Sequence, residues 1–279
     1  MSTPAVSLSS EGAARHEAST LQLSLTAVGA IFHRDLVVTG REAIQFLLQV
    51  MVQPLFVLFI FGKVLPNIGL AAGGFAALLL PGIVSLSGML AAIQGVTLPL
   101  VLDLGFAREI DDRLLAPLPV WMVAAEKVLF GTLRGALAGA CIFPMGMLIL
   151  GSAFSVRTDR LGWLILMVIL TGATGAVIGM LIGTVVRAEF ISLMFALIFT
   201  PLIFTGCTYY PWSALKTIRW FQILTLANPL TYCSEGLRYA MVKGNMATLD
   251  IRLVILALVA GFATLYIVGL RTFRKRVIS

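Results

Sequence analysis

Long apolar runs dominate the chain, and short polar segments separate them. A helix needs about 20 mostly apolar residues to cross a membrane. Six runs are long enough, and they cover residues 44–62, 75–102, 121–150, 162–186, 190–210 and 253–270. We therefore expect an all-α polytopic membrane protein with six transmembrane helices.

The composition supports this interpretation. Hydrophobic residues make up 59% of the 279 residues and charged residues 12%, about half the charged share of a soluble domain. These values exclude a soluble enzyme, and they make a nucleic-acid partner a poor explanation of the net charge of +7. Membrane orientation explains the positive charge better, because cytoplasmic flanks of spans are enriched in Lys and Arg.

The basic residues favour one orientation. With the N-terminus inside, twelve of the 20 Lys and Arg residues lie on the cytoplasmic side and eight lie outside. The basic run at 271–276 directly follows the last span. We expect a multi-pass protein of the plasma (inner) membrane, with both termini in the cytoplasm.

The regions outside the spans have distinct characters. Residues 1–23 are expected to form a disordered cytoplasmic tail, and residues 272–279 a basic one, on either side of a six-span domain at 44–271. Residues 24–43 place Leu25, Val28, Phe32 and Leu36 on one helical face, which favours an amphipathic helix in the inner interface. The alternative is a short disordered tail that runs into span one.

Two further segments stand out between the spans. Residues 103–113 contain six charges, and a helix there would pair Arg108 with Asp112 and Glu109 with Arg113; a merely solvated loop is the alternative. Residues 209–243 are rich in Tyr and Trp but too polar to span. They favour re-entrant helices between spans five and six, shielded by protein.

The sequence lacks the common catalytic motifs. No GxxxxGK[ST], HExxH or GxSxG pattern occurs, so we expect no catalytic residue, no metal site and no ATP hydrolysis by this chain. Cys141, Cys207 and Cys233 form no metal-binding pattern. A disulfide between Cys207 and Cys233 on the outer side stays open.

A few polar and small residues inside the spans are notable. Gln45, Gln49 and Gln53 share one helical face and either pack against a neighbouring helix or line a conduit. Arg134 is either a functional charge, or it snorkels to the inner surface or pairs with Glu126. Two glycine ladders predict close helix packing: Gly131, Gly135 and Gly139 in span three, and Gly175, Gly179 and Gly183 in span four.

Two segments together resemble one family. The first is the loop Arg-Glu-Ile-Asp-Asp-Arg-Leu-Leu-Ala-Pro-Leu-Pro at 108–119, and the second combines Gly206 and Pro211 with Asn-Pro-Leu-Thr-Tyr at 228–232 and Glu-Gly-Leu-Arg at 235–238. Their order and spacing resemble the membrane permease subunits of type-2 ABC exporters, the group that contains drug-resistance and lipooligosaccharide export permeases. Many members have Gly-Thr where this chain has Asp111 and Asp112, so the chain departs from the family pattern at these two positions.

The resemblance implies a half-transporter that needs partners. Two permeases, identical or paralogous, would pair around a pathway, and two copies of a separate ABC ATPase, which holds ATP and Mg, would dock beneath them. It implies ATPase-coupling roles for Arg34, Arg41, Arg108, Glu109, Asp111, Asp112 and Arg113. It implies an outer re-entrant gate at Tyr209, Pro211, Trp212, Asn228, Pro229, Tyr232 and Arg238.

The expected function is ATP-driven export of an amphipathic small molecule, drug or lipid. Export of a lipid-linked polysaccharide is an alternative, as is a non-transporting sensor or assembly subunit of an ABC complex. A membrane-embedded lipid enzyme is a further rival, and the lack of clustered polar catalytic residues at membrane depth counts against it.

Overall fold

The computed structural model describes residues 10–70, 75–105, 119–151, 154, 156–243 and 247–278, without the side chains of 10–25, 104–105 and 277–278. Every regular element in these residues is helical. In chain order the helices are α1 (Ser10–Arg41), α2 (Ala43–Asn67), α3 (Phe75–Gly105), α4 (Val120–Leu150), α5 (Leu161–Val185), α6 (Ile191–Thr205), α7 (Arg219–Thr225), α8 (Pro229–Met241) and α9 (Ile251–Ile278).

The prediction of six spans is confirmed. Among the described residues, six helices are long and apolar enough to cross a membrane: α2, α3, α4, α5, α6 with the preceding turn Ala188–Phe190, and α9. Each apolar run of the sequence corresponds to one of these helices. Membrane spans are helical because a helix satisfies its backbone hydrogen bonds internally, without water.

The helices α3, α4 and α5 form the tightly packed centre of the bundle. A Cβ added at Gly135 of α4 would lie 2.6 Å from the carbonyl oxygen of Gly88 on α3. A Cβ at Gly175 or Gly179 of α5 would lie 2.6 Å from the carbonyl oxygen of Met89 or Ile93, also on α3. Both predicted glycine ladders thus face α3, where only glycine permits such close backbone contact.

The outer helices are much less buried than the centre. In the apolar part of α3, 83% of the residues are buried, compared with 22% for α2, 6% for α6 and 17% for α9. The helix α2 contains Pro54 and continues through a π-helical turn at Ile60–Val64. Proline and π-helical turns both weaken the regular helix ladder. The helices α3, α4 and α6 also contain proline, but among the described spans only α2 has a π-helical turn.

The helix α1 packs against the first half of α4. The rings of Phe32 and Phe130 meet edge to face with centroids 6.3 Å apart. The helix runs from Ser10 to Arg41, so it includes residues 24–41 of the predicted amphipathic segment and part of the region predicted as a tail. Ala, Glu and Leu, all good helix formers, are frequent in this additional part. Its placement in the membrane interface stays a prediction.

The segment between α6 and α9 is folded into short helices. A 3₁₀ turn at Trp212–Thr217 is followed by α7 and α8. The 13 residues of α8 reach about 20 Å at 1.5 Å per residue, which is less than the hydrocarbon thickness of about 30 Å. Re-entry of these helices into the membrane stays a prediction.

The glycine contacts generate a stability prediction. Gly179→Ala should lower the free energy of unfolding in detergent by about 1–3 kcal/mol, because the new methyl group meets the α3 backbone. Gly162→Ala is the matched control on the same helix, where a Cβ meets nothing within 4 Å. Thermal unfolding of the purified protein measures both. Equal shifts for the two variants would contradict the packing described.

Candidate functional site

A groove runs along the surface shared by α2 and α3, and its wider part contains the charged side chains of the lining. This part, called here the polar chamber, is a cavity of about 430 Å³. Its polar lining consists of Thr39, Glu42, Gln45, Gln49, Gln94, Asp103 and Arg134. The chamber lies where α1 ends and α2 begins, so it opens at one end of the bundle.

The narrower part of the groove is mostly apolar. This part, called here the apolar slot, is a cavity of about 70 Å³. It is lined mainly by Val50, Pro54, Val57, Ile83, Leu86, Leu90 and Ala91. Tyr209, predicted as part of the outer gate, also lines the slot, and its ring lies 6.3 Å from that of Phe61 on α2. The exposed lining of both parts is more apolar than polar, but charged side chains line the chamber and not the slot. This arrangement suits a molecule with a polar and an apolar part.

The three glutamines predicted to share one helical face all line this groove. Gln45 faces the chamber, Gln53 faces the slot, and Gln49 belongs to both. The Gln49 amide donates a hydrogen bond of 2.7 Å to Gln94 Oε1 on α3. All three glutamines are exposed on the isolated chain. Because exposing polar amides to lipid is costly, this face requires water or protein against it.

Arg134 reaches into the polar chamber from α4. Its guanidinium carbon lies 4.8 Å from the centre of the Phe46 ring, a cation–π contact. A Cβ at Gly95 would touch the Arg134 side chain at 2.7 Å, so glycine makes room for it. The buried Nε has no hydrogen-bond partner within the described part of the chain. Pairing with Glu126, one alternative from the sequence, is not the geometry observed.

A buried charge cluster joins α1 to α4. Lys127 Nζ lies 2.6 Å from Asp35 Oδ2 and 3.6 Å from Glu126 Oε2. The Lys127 side chain is 4% exposed, the Asp35 side chain 13%. Arg34, predicted to couple to an ATPase, lies 3.3 Å from the other Asp35 oxygen and is half exposed. Sequence reasoning missed Asp35 and Lys127 as a pair, because 92 positions separate them.

Several predicted coupling residues cannot be placed. Arg108, Glu109, Asp111, Asp112 and Arg113 lie outside the described residues. Arg41 is the last residue of α1 and is exposed.

The end of α6 is capped by the start of α8. Asn228 Oδ1 accepts a hydrogen bond from the Leu230 amide at 2.9 Å, as a helix N-cap does. Its Nδ2 donates to the Leu202 carbonyl and to Thr205 Oγ1, both at 2.8 Å. Pro229 occupies the first helical position, where its missing N–H costs nothing. One amide therefore satisfies both helix ends.

Other residues of the predicted outer gate hold the short helices together. Trp212 Nε1 donates to the Gln222 carbonyl at 3.1 Å, and Gln222 Nε2 donates back to the Trp212 carbonyl at 3.2 Å. The Tyr232 hydroxyl donates to the Leu226 carbonyl at 2.8 Å. Pro211 directly precedes the 3₁₀ turn. The observed contacts of these residues support the local fold; a gating role stays a prediction.

The side chains of Glu235 and Arg238 form a fully buried ion pair on α8. Arg238 Nη1 donates to Glu235 Oε1 at 2.9 Å, and both side chains are 0% exposed. The other guanidinium nitrogens donate to three carbonyls, those of Leu78, Cys207 and Thr208.

Glu235 completes this network and was not among the predicted site residues. Its Oε1 accepts from the Trp212 amide at 3.0 Å, and its Oε2 accepts from the Leu249 amide at 3.3 Å. The ion pair thus ties α8 to the start of α3, to the segment after α6 and to the segment before α9. The i,i+3 spacing of Glu235 and Arg238 was the available sequence signal.

The three cysteines are free thiols, so the structure contains no bond between Cys207 and Cys233. Burial raises the pKa of the Cys207 thiol to about 11. Cys207 adopts a left-handed backbone with φ of 51°. This conformation turns the chain after α6 and presents the Cys207 carbonyl to Arg238.

The buried ion pair generates a second stability prediction. Glu235→Gln leaves Arg238 buried without a counter-charge, and the expected loss is about 3–5 kcal/mol of unfolding free energy. Asp159→Asn is the control, since it removes the exposed pair of Arg157 and Asp159, 2.6 Å apart. Solvent screens that pair, and a small effect is expected. Denaturant unfolding in detergent measures both; a Glu235→Gln protein as stable as the control would refute the assignment.

Comparisons with known proteins agree on one family. The family model described as ABC-2 type transporter matches residues 26–242, which includes α2 to α8 and most of the groove. No solved structure matches the chain significantly.

Curated relatives give the same result over a shorter region. The chain is 29% identical over 143 residues to the inner membrane transport permease YadH of Escherichia coli strain K12, and equally to YadH of Escherichia coli O157:H7 and of Shigella flexneri. The match covers 50% of this chain and 53% of each relative, so the chain spans about half the length of the curated relatives it matches. With the family model over most of its length, the chain belongs to the ABC-2 type transporter family.

Proposed function

We propose that the chain is the membrane permease subunit of an ABC exporter and that the groove between α2 and α3 is part of its transport path. The observation that carries this proposal is the arrangement of a chamber of about 430 Å³ with charged side chains next to a slot of about 70 Å³ without them. The family membership and the printed name of the YadH relatives, a transport permease, support it.

The groove favours an amphipathic cargo, such as a small drug-like molecule or a lipid. In the chamber, Arg134 and the amides of Gln45 and Gln94 offer hydrogen bonds to a polar group. In the slot, Val57 and Leu86 offer apolar contacts. This division separates the two parts of one ligand, as expected for a site that binds few polar groups within apolar walls.

A second permease, identical or paralogous, would cover the glutamine face of α2. Gln45, Gln49 and Gln53 are exposed on the isolated chain, and a hydrocarbon environment there is unfavourable. A second copy across the groove would enclose the path and remove these amides from lipid. Pairing of two subunits also gives the closed symmetry that most oligomers adopt.

Two copies of an ABC ATPase would supply the energy, since the sequence contains no phosphate-binding loop. We place both termini and the ATPase on the cytoplasmic side, beneath α1. Arg34, Arg41 and the charged loop at 108–113 would contact the ATPase there. Asp35 and Lys127 would then link α1 to α4, so that a displacement of α1 reaches the bundle.

A non-transporting sensor subunit is the rival from a different class. Purification from native membranes, with identification of a co-eluting ATPase, tests the partner. Reconstitution of that complex in vesicles tests the activity. Cargo-stimulated ATP hydrolysis with accumulation of an amphipathic probe in the vesicles supports the exporter. ATP hydrolysis without accumulation supports the sensor, and the lack of any bound ATPase would refute the proposal.

The link between α1 and α4 generates a prediction about coupling. Asp35→Asn and Lys127→Gln should each lower ATP-driven transport by about five- to tenfold, because each breaks the same partly buried pair. The double variant should be no worse than the single ones, since the effects of contacting residues are not additive. Transport in reconstituted vesicles is measured for the two single variants and for the double variant.

The matched control is the exposed pair of Arg187 and Glu189, 3.9 Å apart near the end of α5. Arg187→Gln and Glu189→Gln should have small effects, because solvent screens this pair. Additive losses at Asp35 and Lys127, or equal losses in the control pair, would show that the α1 link does not transmit the motion.

A further inference from the structure

A side-chain hydrogen bond crosses the groove where its two parts meet. Gln49 of α2 and Gln94 of α3 are the two residues that line both the polar chamber and the apolar slot. The Gln49 Nε2 donates to the Gln94 Oε1 at 2.7 Å. The bond therefore lies at the boundary between the chamber and the slot.

The two helices that carry these glutamines are held very differently. The helix α3 is fixed by backbone contacts with α4 and α5, where a Cβ at Gly135 would lie 2.6 Å from the Gly88 carbonyl oxygen. The helix α2 is 22% buried over its apolar part, compared with 83% for α3. It also contains the π-helical turn Ile60–Val64, whereas α3 is α-helical over its whole length. Movement of α2 away from α3 therefore breaks the glutamine bond without opening the packed centre.

The chemistry of two amides suits a bond that opens and closes. Each glutamine amide has donors and an acceptor, so an amide released from its partner can bind water or a polar group of the cargo instead. A pair of opposite charges at this depth would resist separation more strongly. Among the polar residues on this face of α2, Gln45 and Gln53 each line a single part of the groove.

We propose that Gln49 and Gln94 form a gate that separates the polar chamber from the apolar slot and opens when α2 moves away from α3. The inference rests on the proposed function, because it assigns a place within the proposed transport path.

The gate is tested by the accessibility of the slot. Ser87 lines the slot and is 8% exposed, so Ser87→Cys is the reporter. The native Cys141, Cys207 and Cys233 are replaced by alanine in this background. The probe is the permanently charged, membrane-impermeant thiol reagent 2-(trimethylammonium)ethyl methanethiosulfonate, applied to vesicles of both orientations. Gln49→Ala should speed the labelling about fivefold, the effect of one lost hydrogen bond.

Two further variants keep the outcome decisive. Gln94→Ala should speed the labelling as Gln49→Ala does, which guards against a folding defect in either one. Gln45→Ala is the matched control, because Gln45 lines the chamber but not the slot, and the labelling rate should not change. Unchanged labelling in both gate variants, or an equal increase with Gln45→Ala, would overturn the gate.

The labelling experiment needs no ATP, ATPase or cargo, so its failure differs from failure of the proposed function. If the protein transports in vesicles but neither gate variant changes the labelling rate of Ser87→Cys, the gate is refuted and the exporter is not. If the gate variants are labelled faster but the protein never transports, the exporter is refuted, and the Gln49–Gln94 bond is still a barrier between the two cavities.

Discussion

The close contact of the α3 backbone with α4 and α5 is the constraint on which the rest of the structure depends. Lipid provides no hydrophobic drive between helices, so close packing has to come from small residues. Gly135, Gly175 and Gly179 allow carbonyls of α3 to approach within distances that a methyl group would prevent. This produces a rigid three-helix centre, and it leaves α2, α6 and α9 as lightly buried helices on its surface. The groove lies on the boundary between the rigid and the lightly held parts.

The buried network around Glu235 and Arg238 complements this centre. It fixes α8 and the segment after α6 to the start of α3 with hydrogen bonds instead of apolar packing. Burying two charges is unfavourable unless both are paired and their remaining groups are bonded, and here the carbonyls and amides of three segments satisfy them. The chain thus anchors α3 through glycine contacts along its length and through an ion pair near its start.

Much of this fold could be predicted from the sequence, because length and hydropathy determine which segments can span a membrane. The glycine spacing also predicted close packing, although not that both ladders face the same helix. The glutamine spacing placed Gln45, Gln49 and Gln53 on one face, but the partner Gln94 lies 45 positions from Gln49. The pair of Asp35 and Lys127 and the cation–π contact of Arg134 with Phe46 were missed for the same reason. Local periodicity contains no information about which distant side chains meet.

In the proposed mechanism α2 moves relative to α3, while α3, α4 and α5 keep their positions relative to one another. Distances between nitroxide labels at exposed positions, measured by double electron–electron resonance in the complex with its ATPase, test this directly. One label pair joins Ile44 of α2 to Leu98 of α3, and the other joins Leu98 to Val185 of α5. We expect that adding a non-hydrolysable ATP analogue changes the distance between Ile44 and Leu98 and leaves the distance between Leu98 and Val185 unchanged. A fixed first distance, or a change in the second as large as in the first, would contradict it.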